Sequence, residues 1–464
     1  MKRGKGRRKN LLLVFIIIIS FINPFLGGSI NIALPAIGNE FQLGAIGLSW
    51  VAMAFLLSSA VFLVPLGKLA DIKGRKKIFL FGNIIITLTS LLCAVSSSGQ
   101  MLIIARGLQG IGSAMVFGTG IAIITSAYPP DKRGRAIGIN VTAVYIGLSL
   151  APFLGGLLTE YLSWRSIFYF TIPFEIIVIL GTWIFVRDEW ADAKGEPFDY
   201  TGSIIYIISM SALMFGFSKF PESYAIGLSV FGLVGLIIFG RFELRTSFPI
   251  FNIRLFKSNR LFAFSNLAAL INYATTFAIT FLLSLYLQFS LGLSPRDAGI
   301  ILVTQPVVMA IVASIAGRLS DTYDPRILAS SGMAVIVSGL ILLAFLNGMT
   351  TIKYLVTTLV IVGIGFGLFS SPNTNAIMGS IDRKFLGVAS ATVGTMRLTG
   401  QMFSMGIATL ILQIFLGEVR IGVENLPLFL TSMRTTFIIF AGLCLLGIFA
   451  SLARGKRNIH RHRP

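Results

Sequence analysis

The stretch Gly67-Lys68-Leu69-Ala70-Asp71-Ile72-Lys73-Gly74-Arg75-Lys76-Lys77 lies between two apolar runs, about 47–69 and 78–97. Each run suits a bilayer crossing, which takes about 20 mostly apolar residues. Five basic residues hold the joining loop on one side of the bilayer. Gly74 allows the turn a positive φ. Gly67 lets two helices approach closely. Asp71 can sit against a helix N-terminus or an arginine.

This pattern of apolar run and short polar loop fills the chain. Fourteen apolar segments are expected to span: 11–36, 47–69, 78–97, 102–126, 136–158, 167–186, 200–219, 224–240, 260–289, 298–319, 327–347, 353–376, 387–416 and 433–453. They are numbered here as helices 1–14. Composition agrees. The 464 residues are 55% hydrophobic and only 12% charged, about half the charge of a soluble domain. Several soluble domains are therefore excluded, and lipid must take up the apolar surface. Cys93 and Cys444 fall in apolar runs, and His460 and His462 lie in the tail. No disulfide framework, metal site or cofactor is expected. The N-terminus resembles a signal peptide, but no small-residue cleavage site follows. It reads as a first membrane helix behind a basic tail.

The formal net charge is +20. In a soluble chain this would suggest nucleic acid. With a cytoplasmic N-terminus, 30 of the 38 Lys and Arg fall in cytoplasmic segments and six outside, with Arg106 and Arg397 inside spans. That asymmetry predicts an even span number, a multi-pass cell-membrane protein and both termini cytoplasmic. It leaves no role for nucleic acid.

Gly317-Arg318-Leu319-Ser320-Asp321, closing at Arg326, repeats the opening motif 250 residues later. Parallel duplication is a known transporter plan. Six spans of about 33 residues give an offset near 200, so two extra helices are placed between the halves, at about 200–240. The expected organisation is a basic tail (1–10), a six-helix bundle (11–186), two linker helices with loops (187–259), a second six-helix bundle (260–453) and a basic tail (454–464).

The loop 67–77 resembles the signature of the major facilitator superfamily. Arg106-Gly107-Leu108-Gln109-Gly110-Ile111-Gly112 in helix 4 resembles its RxxQGxG motif. Gly147-Leu148-Ser149-Leu150-Ala151-Pro152-Phe153-Leu154-Gly155-Gly156 in helix 5 resembles its antiporter motif, with Ala151 replacing one glycine. Asn31-Ile32-Ala33-Leu34-Pro35, Leu48-Ser49-Trp50-Val51, Trp164-Arg165-Ser166-Ile167-Phe168, Phe198-Asp199-Tyr200-Thr201-Gly202 and Leu293-Ser294-Pro295 with Ala298-Gly299 are similar to the fourteen-helix drug:proton antiporter branch. The resemblance implies an all-α integral membrane protein with the major facilitator fold, two six-helix bundles plus two extra helices. It implies a monomeric secondary transporter exporting a lipophilic small molecule against protons by alternating access. It makes Gly67, Asp71, Gly74 and Arg75 a conformational latch. It makes Gly147, Ala151, Pro152, Gly155 and Gly156 a gating hinge, where small residues also permit close packing and proline a kink.

Ionisable residues within spans are functional candidates by default. Arg106, with Gln109 one turn away, is a candidate for an anionic substrate group or a nearby carboxylate; the alternative is an arginine snorkelling to the interface. Arg397 should face the interior or a wet cavity. Glu175 is the one carboxylate placed mid-span and a candidate proton carrier; the alternative is a neutral, hydrogen-bonded glutamate on a peripheral helix. Relatives of this branch often carry an acid five residues before Asn31; here the residue is Leu26. On helix 9, Asn266, Tyr273, Phe277 and Thr280 share a face. Asn23 and Asn31 on helix 1, and Asn373 and Asn375 on helix 12, are further cavity candidates. The alternatives are the same fold carrying an anionic or neutral metabolite, and a membrane-embedded transferase. No acidic metal-binding cluster supports a transferase, and no GxxxxGK[ST] loop supports ATP-driven transport. The chain is not expected to be an enzyme.

Overall fold

The computed structural model describes residues 2–320, 322–381 and 386–455. Asp321 of the second motif, Arg383, Lys384 and residues 456–464 lie outside the described residues, as do the side chains of residues 2–9. Fourteen helices among the described residues are long and apolar enough to cross a membrane. They are helix 1 (Asn10–Phe41), helix 2 (Ala45–Lys73), helix 3 (Arg75–Ala94), helix 4 (Gly99–Ala127), helix 5 (Arg133–Tyr161), helix 6 (Ser166–Phe185), helix 7 (Tyr200–Lys219), helix 8 (Ser223–Arg245), helix 9 (Arg260–Ser290), helix 10 (Pro295–Ser320), helix 11 (Pro325–Ala344), helix 12 (Ile352–Gly379), helix 13 (Val388–Phe415) and helix 14 (Leu426–Ala453). Hydrocarbon offers the backbone no hydrogen bonds, so each apolar run closes its own as a helix. Polar residues mark several starts. Ser98, Asp199, Asn259, Ser294, Asp324 and Thr351 each accept a backbone N–H from the first turn of the following helix.

Two starts differ from the sequence expectation. Helix 14 begins at Leu426, because Leu426-Pro427-Leu428-Phe429-Leu430 is apolar and Pro427 suits a first turn. Arg434 thus sits within the helix, on an exposed face, and not in a loop. Helix 4 begins at Gly99, which places Arg106 two turns deep.

The duplication appears in the packing. Helices 1–5, 2–4, 3–4, 1–6 and 3–6 pair in the first half; helices 9–13, 10–12, 11–12, 9–14 and 11–14 pair in the second. Adding eight to each number in the first set gives the second. Where lipid is as apolar as the side chains, association rests on close packing. A Cβ at Gly147 would collide with the Phe21 carbonyl oxygen, and one at Gly155 would lie 2.6 Å from Ser29 Cβ, so both seat helix 5 on helix 1.

Between the halves, helix 5 packs on helix 10, helix 2 on helix 13, and helix 1 on helix 9. Helix 7 lies against both helix 2 and helix 13, where Tyr206 Oη donates to the Ala60 carbonyl (3.3 Å). Helix 8 pairs with helix 7. Most of it is exposed, including Val230, Phe231, Val234 and Ile238, as suits a lipid-facing surface. Its buried Glu243 accepts from Phe251 N–H (3.0 Å), and its Oε1 lies with Asp199 Oδ2 beside Gly202.

Candidate functional site

A cavity of about 1090 Å³, its mouth included, lies between the halves. Helices 1, 2, 4, 5, 9, 10, 12 and 13 line it. Among the described residues its wall holds no carboxylate, and Arg397 is its one charged side chain. Phe55, Phe117, Phe277 and Phe366 give it aromatic surface, while Tyr145, Tyr273, Asn23, Asn31, Gln305 and Gln401 give it polar groups. The Tyr273 and Phe366 rings meet edge-on, 5.5 Å apart. An apolar pocket with a few polar groups is the usual form of a small-molecule site.

Helix 9 is broken where it meets the cavity. Its first segment ends at Thr276, Ala278 N–H is taken by Ser404 Oγ (3.0 Å), and a wide turn follows at Tyr286–Ser290. Tyr273, Phe277 and Thr280 line the wall as their spacing predicts, but Asn266 does not. Two turns away, Asn266 is wholly buried and donates to the Phe262 carbonyl (2.9 Å). Asn23 and Asn31 are at the cavity. Asn373 is turned to the buried Arg454 (2.8 Å), and Asn375 donates to Ser320 Oγ (2.7 Å).

Arg397 lines the cavity, with its guanidinium carbon 5.4 Å from the centre of the Phe117 ring. Arg106, Gln109 and Glu175 are not in the wall. They form one buried chain inside the first half. Arg106 donates to Gln109 Oε1 (2.6 Å) and to the Val51 carbonyl (3.3 Å). Gln109 Nε2 donates to Ser90 Oγ (2.8 Å), and Ser90 donates to Glu175 Oε1 (3.3 Å). All three are fully buried, which excludes snorkelling for Arg106. Arg106 stands behind the cavity, 4.5 Å from the centre of the Phe55 ring that forms its wall.

The loop 67–77 is clasped by the acidic segment after helix 6. Arg75 pairs with Asp71 and Asp192 (both 2.7 Å) and donates to Ser126 Oγ (2.5 Å). Lys68 pairs with Glu196 (2.6 Å), and Glu189 accepts from Lys76 N–H (2.8 Å). Gly74 has φ +117°, and any side chain there would strike Glu189. Gly67 has open space where its Cβ would be, so its own packing does not demand glycine; its Cα instead lies against Gly118. The described partners of Asp71 and Arg75 all lie in the first half or the segment following it.

The seam between the halves is closed at the end away from the termini. Ser284 Oγ donates to the Asn31 carbonyl (2.6 Å), Gln288 to the Ile32 carbonyl (3.0 Å), Arg296 to Tyr161 Oη (3.2 Å), and Ala45 N–H to the Val419 carbonyl (3.1 Å). These are the hydrogen bonds between the halves among the described residues. The helix 5 motif forms part of this seam. A Cβ at Gly156 would lie 2.5 Å from the Pro295 carbonyl oxygen, and one at Gly299 would strike the Pro152 carbonyl. Nearby, Arg165 holds Glu40 through two hydrogen bonds (2.7 and 2.6 Å), Trp164 Nε1 donates to the same carboxylate (2.7 Å), and the Arg165 guanidinium stacks 4.3 Å from the Trp164 ring. Those hydrogen bonds to Glu40 hold Arg165 above its ordinary pKa.

Comparison with known proteins agrees with this architecture. The family model of the Major Facilitator Superfamily matches residues 16–263 and 266–464. The riboflavin transporter RibZ of Clostridioides difficile is 29% identical over 87% of this chain and 87% of its own. The multidrug resistance protein Stp of Mycobacterium tuberculosis is 30% identical over 82% of this chain and 71% of its own. A bacterial homolog of the human lysosomal transporter Spinster, crystallised inward-facing and unoccupied, superposes with a TM-score of 0.68 at 17% identity, covering 98% of both chains. The human organic anion transporter MFSD10 gives a TM-score of 0.60 at 15% identity, over 97% of this chain and 99% of its own.

Proposed function

Because this chain belongs to the Major Facilitator Superfamily, we propose that it exports lipophilic small molecules across the cell membrane in exchange for protons. The observation that carries this reading is the central cavity, apolar and aromatic, built from four helices of each half and sealed at one end. With the termini in the cytoplasm, as the basic residues favour, the sealed end is extracellular. The state described is then the one that receives substrate from the cell. Rocking the halves about the cavity would break the outer seam and release it. Relatives named as multidrug transporters support the cargo class.

The proton is assigned to Glu175, the carboxyl wired through Ser90 and Gln109 to Arg106 behind the cavity wall. A proton on Glu175 loosens the pull on that chain, and Phe55 brings the change to the substrate. The test is transport of the purified chain in proteoliposomes under an imposed pH gradient. Glu175→Gln should bind substrate but lose acceleration by the gradient. Flux indifferent to pH in the native chain would overturn proton exchange. Unchanged pH dependence in the variant would remove Glu175 from it.

A further inference from the structure

We propose that the cavity selects amphiphilic aromatic anions, with Arg397 as the subsite for a carboxylate or sulfonate. This rests on the cavity being the substrate site. Arg397 has no hydrogen bond or ion pair among the described residues, in contrast to the fully engaged Arg106. The aromatic ring of Phe117 lies against it. Tyr145, Tyr273, Gln305 and Gln401 line the same cavity, and none of their side-chain polar groups has a hydrogen-bond partner among the described residues. A half-buried cation with no counter-charge, in a cavity that also holds four unspent polar side chains, is a site short of an anion. An anionic oxygen group supplies them, and the guanidinium fork matches a carboxylate or sulfonate in two parallel hydrogen bonds. The rest of the wall suits a fused aromatic body.

The same charge rejects cations. Among the described residues no wall carboxylate offsets Arg397. A cationic aromatic would face an uncompensated like charge at low dielectric. Anion export also has a driving force of its own. An inside-negative potential expels a monovalent anion, and exchange for one proton moves two charges per cycle in the favourable direction.

The experiment uses two fluorescent probes with one ring system. 8-Anilino-1-naphthalenesulfonate carries the anion, and N-phenyl-1-naphthylamine is its uncharged parent. Binding and transport of each, and of cationic ethidium, are measured on the purified full-length chain. The sulfonate should bind more tightly than the parent, and ethidium most weakly. Arg397→Gln should weaken the sulfonate about tenfold to a hundredfold and leave the parent within twofold. Arg397→Lys, which keeps charge without the fork, should recover part of the loss. Equal binding of the two naphthalene probes, or an Arg397→Gln variant that binds the sulfonate normally, would overturn the proposal. Thr280→Trp, which fills the cavity, separates the premises. If it blocks every probe while Arg397→Gln has no effect, the cavity is the site and the anion subsite is wrong. If it blocks none, the cavity itself is wrong.

Discussion

Gly155 and Gly156 are neighbours in sequence that face different halves of the molecule. A methyl group at Gly156 would lie 2.5 Å from the Pro295 carbonyl oxygen and 3.1 Å from its carbon, across the seam. A methyl at Gly155 would lie 2.6 Å from Ser29 Cβ and 2.9 Å from Ser29 Cα, within its own half. Ordinary contact begins near 3.4 Å, so each alanine must push its neighbour back by about 0.8–0.9 Å. Backbone cannot swing aside, and overpacking of this kind costs about 1–3 kcal/mol. For Gly155→Ala the cost falls on both transport states and appears as lost thermal stability. For Gly156→Ala it falls on the state in which helices 5 and 10 touch, and shifts the population toward an open outer end by about 5- to 150-fold. A single cysteine at Thr280 reports the shift, in a background without the buried Cys93 and Cys444. A membrane-impermeant maleimide applied from the side away from the termini should label Thr280→Cys at least fivefold faster with Gly156→Ala. Gly155→Ala should leave the rate unchanged. An equal rise with Gly155→Ala, or none with Gly156→Ala in a folded protein, would refute this account of the seam.

Other outcomes follow from the buried groups. Arg106→Ala should cost about 1–3 kcal/mol for each neutral acceptor it strands in the interior; thermal unfolding in detergent measures it, and lysine should not rescue the double contact with Gln109 and Val51. At the acidic clasp, Asp192 is 67% exposed, so Asp192→Asn should cost under about 1 kcal/mol. Arg75→Ala removes three partners at once and should lower the melting temperature by far more; equal effects would show that the partners are not shared as described. Glu243→Ala strands the Phe251 N–H that the carboxylate accepts and should cost about 1–3 kcal/mol; Glu243→Gln, whose amide oxygen can still accept it, should cost less in the same melting assay. Asp199→Ala loses the first-turn cap of helix 7 and should cost about 1 kcal/mol, read by the same melting assay.

The span count was legible because each crossing is a long apolar run bounded by charge. Helix starts were less so: Leu426–Leu430 is apolar enough to join helix 14, and this moves Arg434 into the helix. Several motif residues have local physical reasons. Ser294 caps helix 10, Gly299 permits contact with Pro152, and Arg165 clamps Glu40. The cavity was legible only in part. Spacing alone places Tyr273, Phe277 and Thr280 together, and Gln401 lies one turn beyond Arg397 on helix 13. Asn266 shares the unbroken segment Arg260–Thr276 with Tyr273 but lies two turns from the wall; spacing gives a shared face and not how far along it the cavity extends. Arg106 and Glu175 show the larger limit. Sequence says that a charge lies within a span, but packing decides whether it meets the cavity or another side chain. Tyr145 and Gln305 join Arg397 only through tertiary structure.

The matched pairings of the two halves give the molecule two lateral seams, helix 2 against helix 13 and helix 5 against helix 10. Helix 7 lies along the first, and among the described residues no helix takes that place along the second. The duplicated bundles alone would present equivalent sides to the bilayer. The inserted pair gives the molecule a back and a front in the membrane plane, and a solute dissolved in lipid that approaches the cavity sideways meets its uncovered seam at helices 5 and 10.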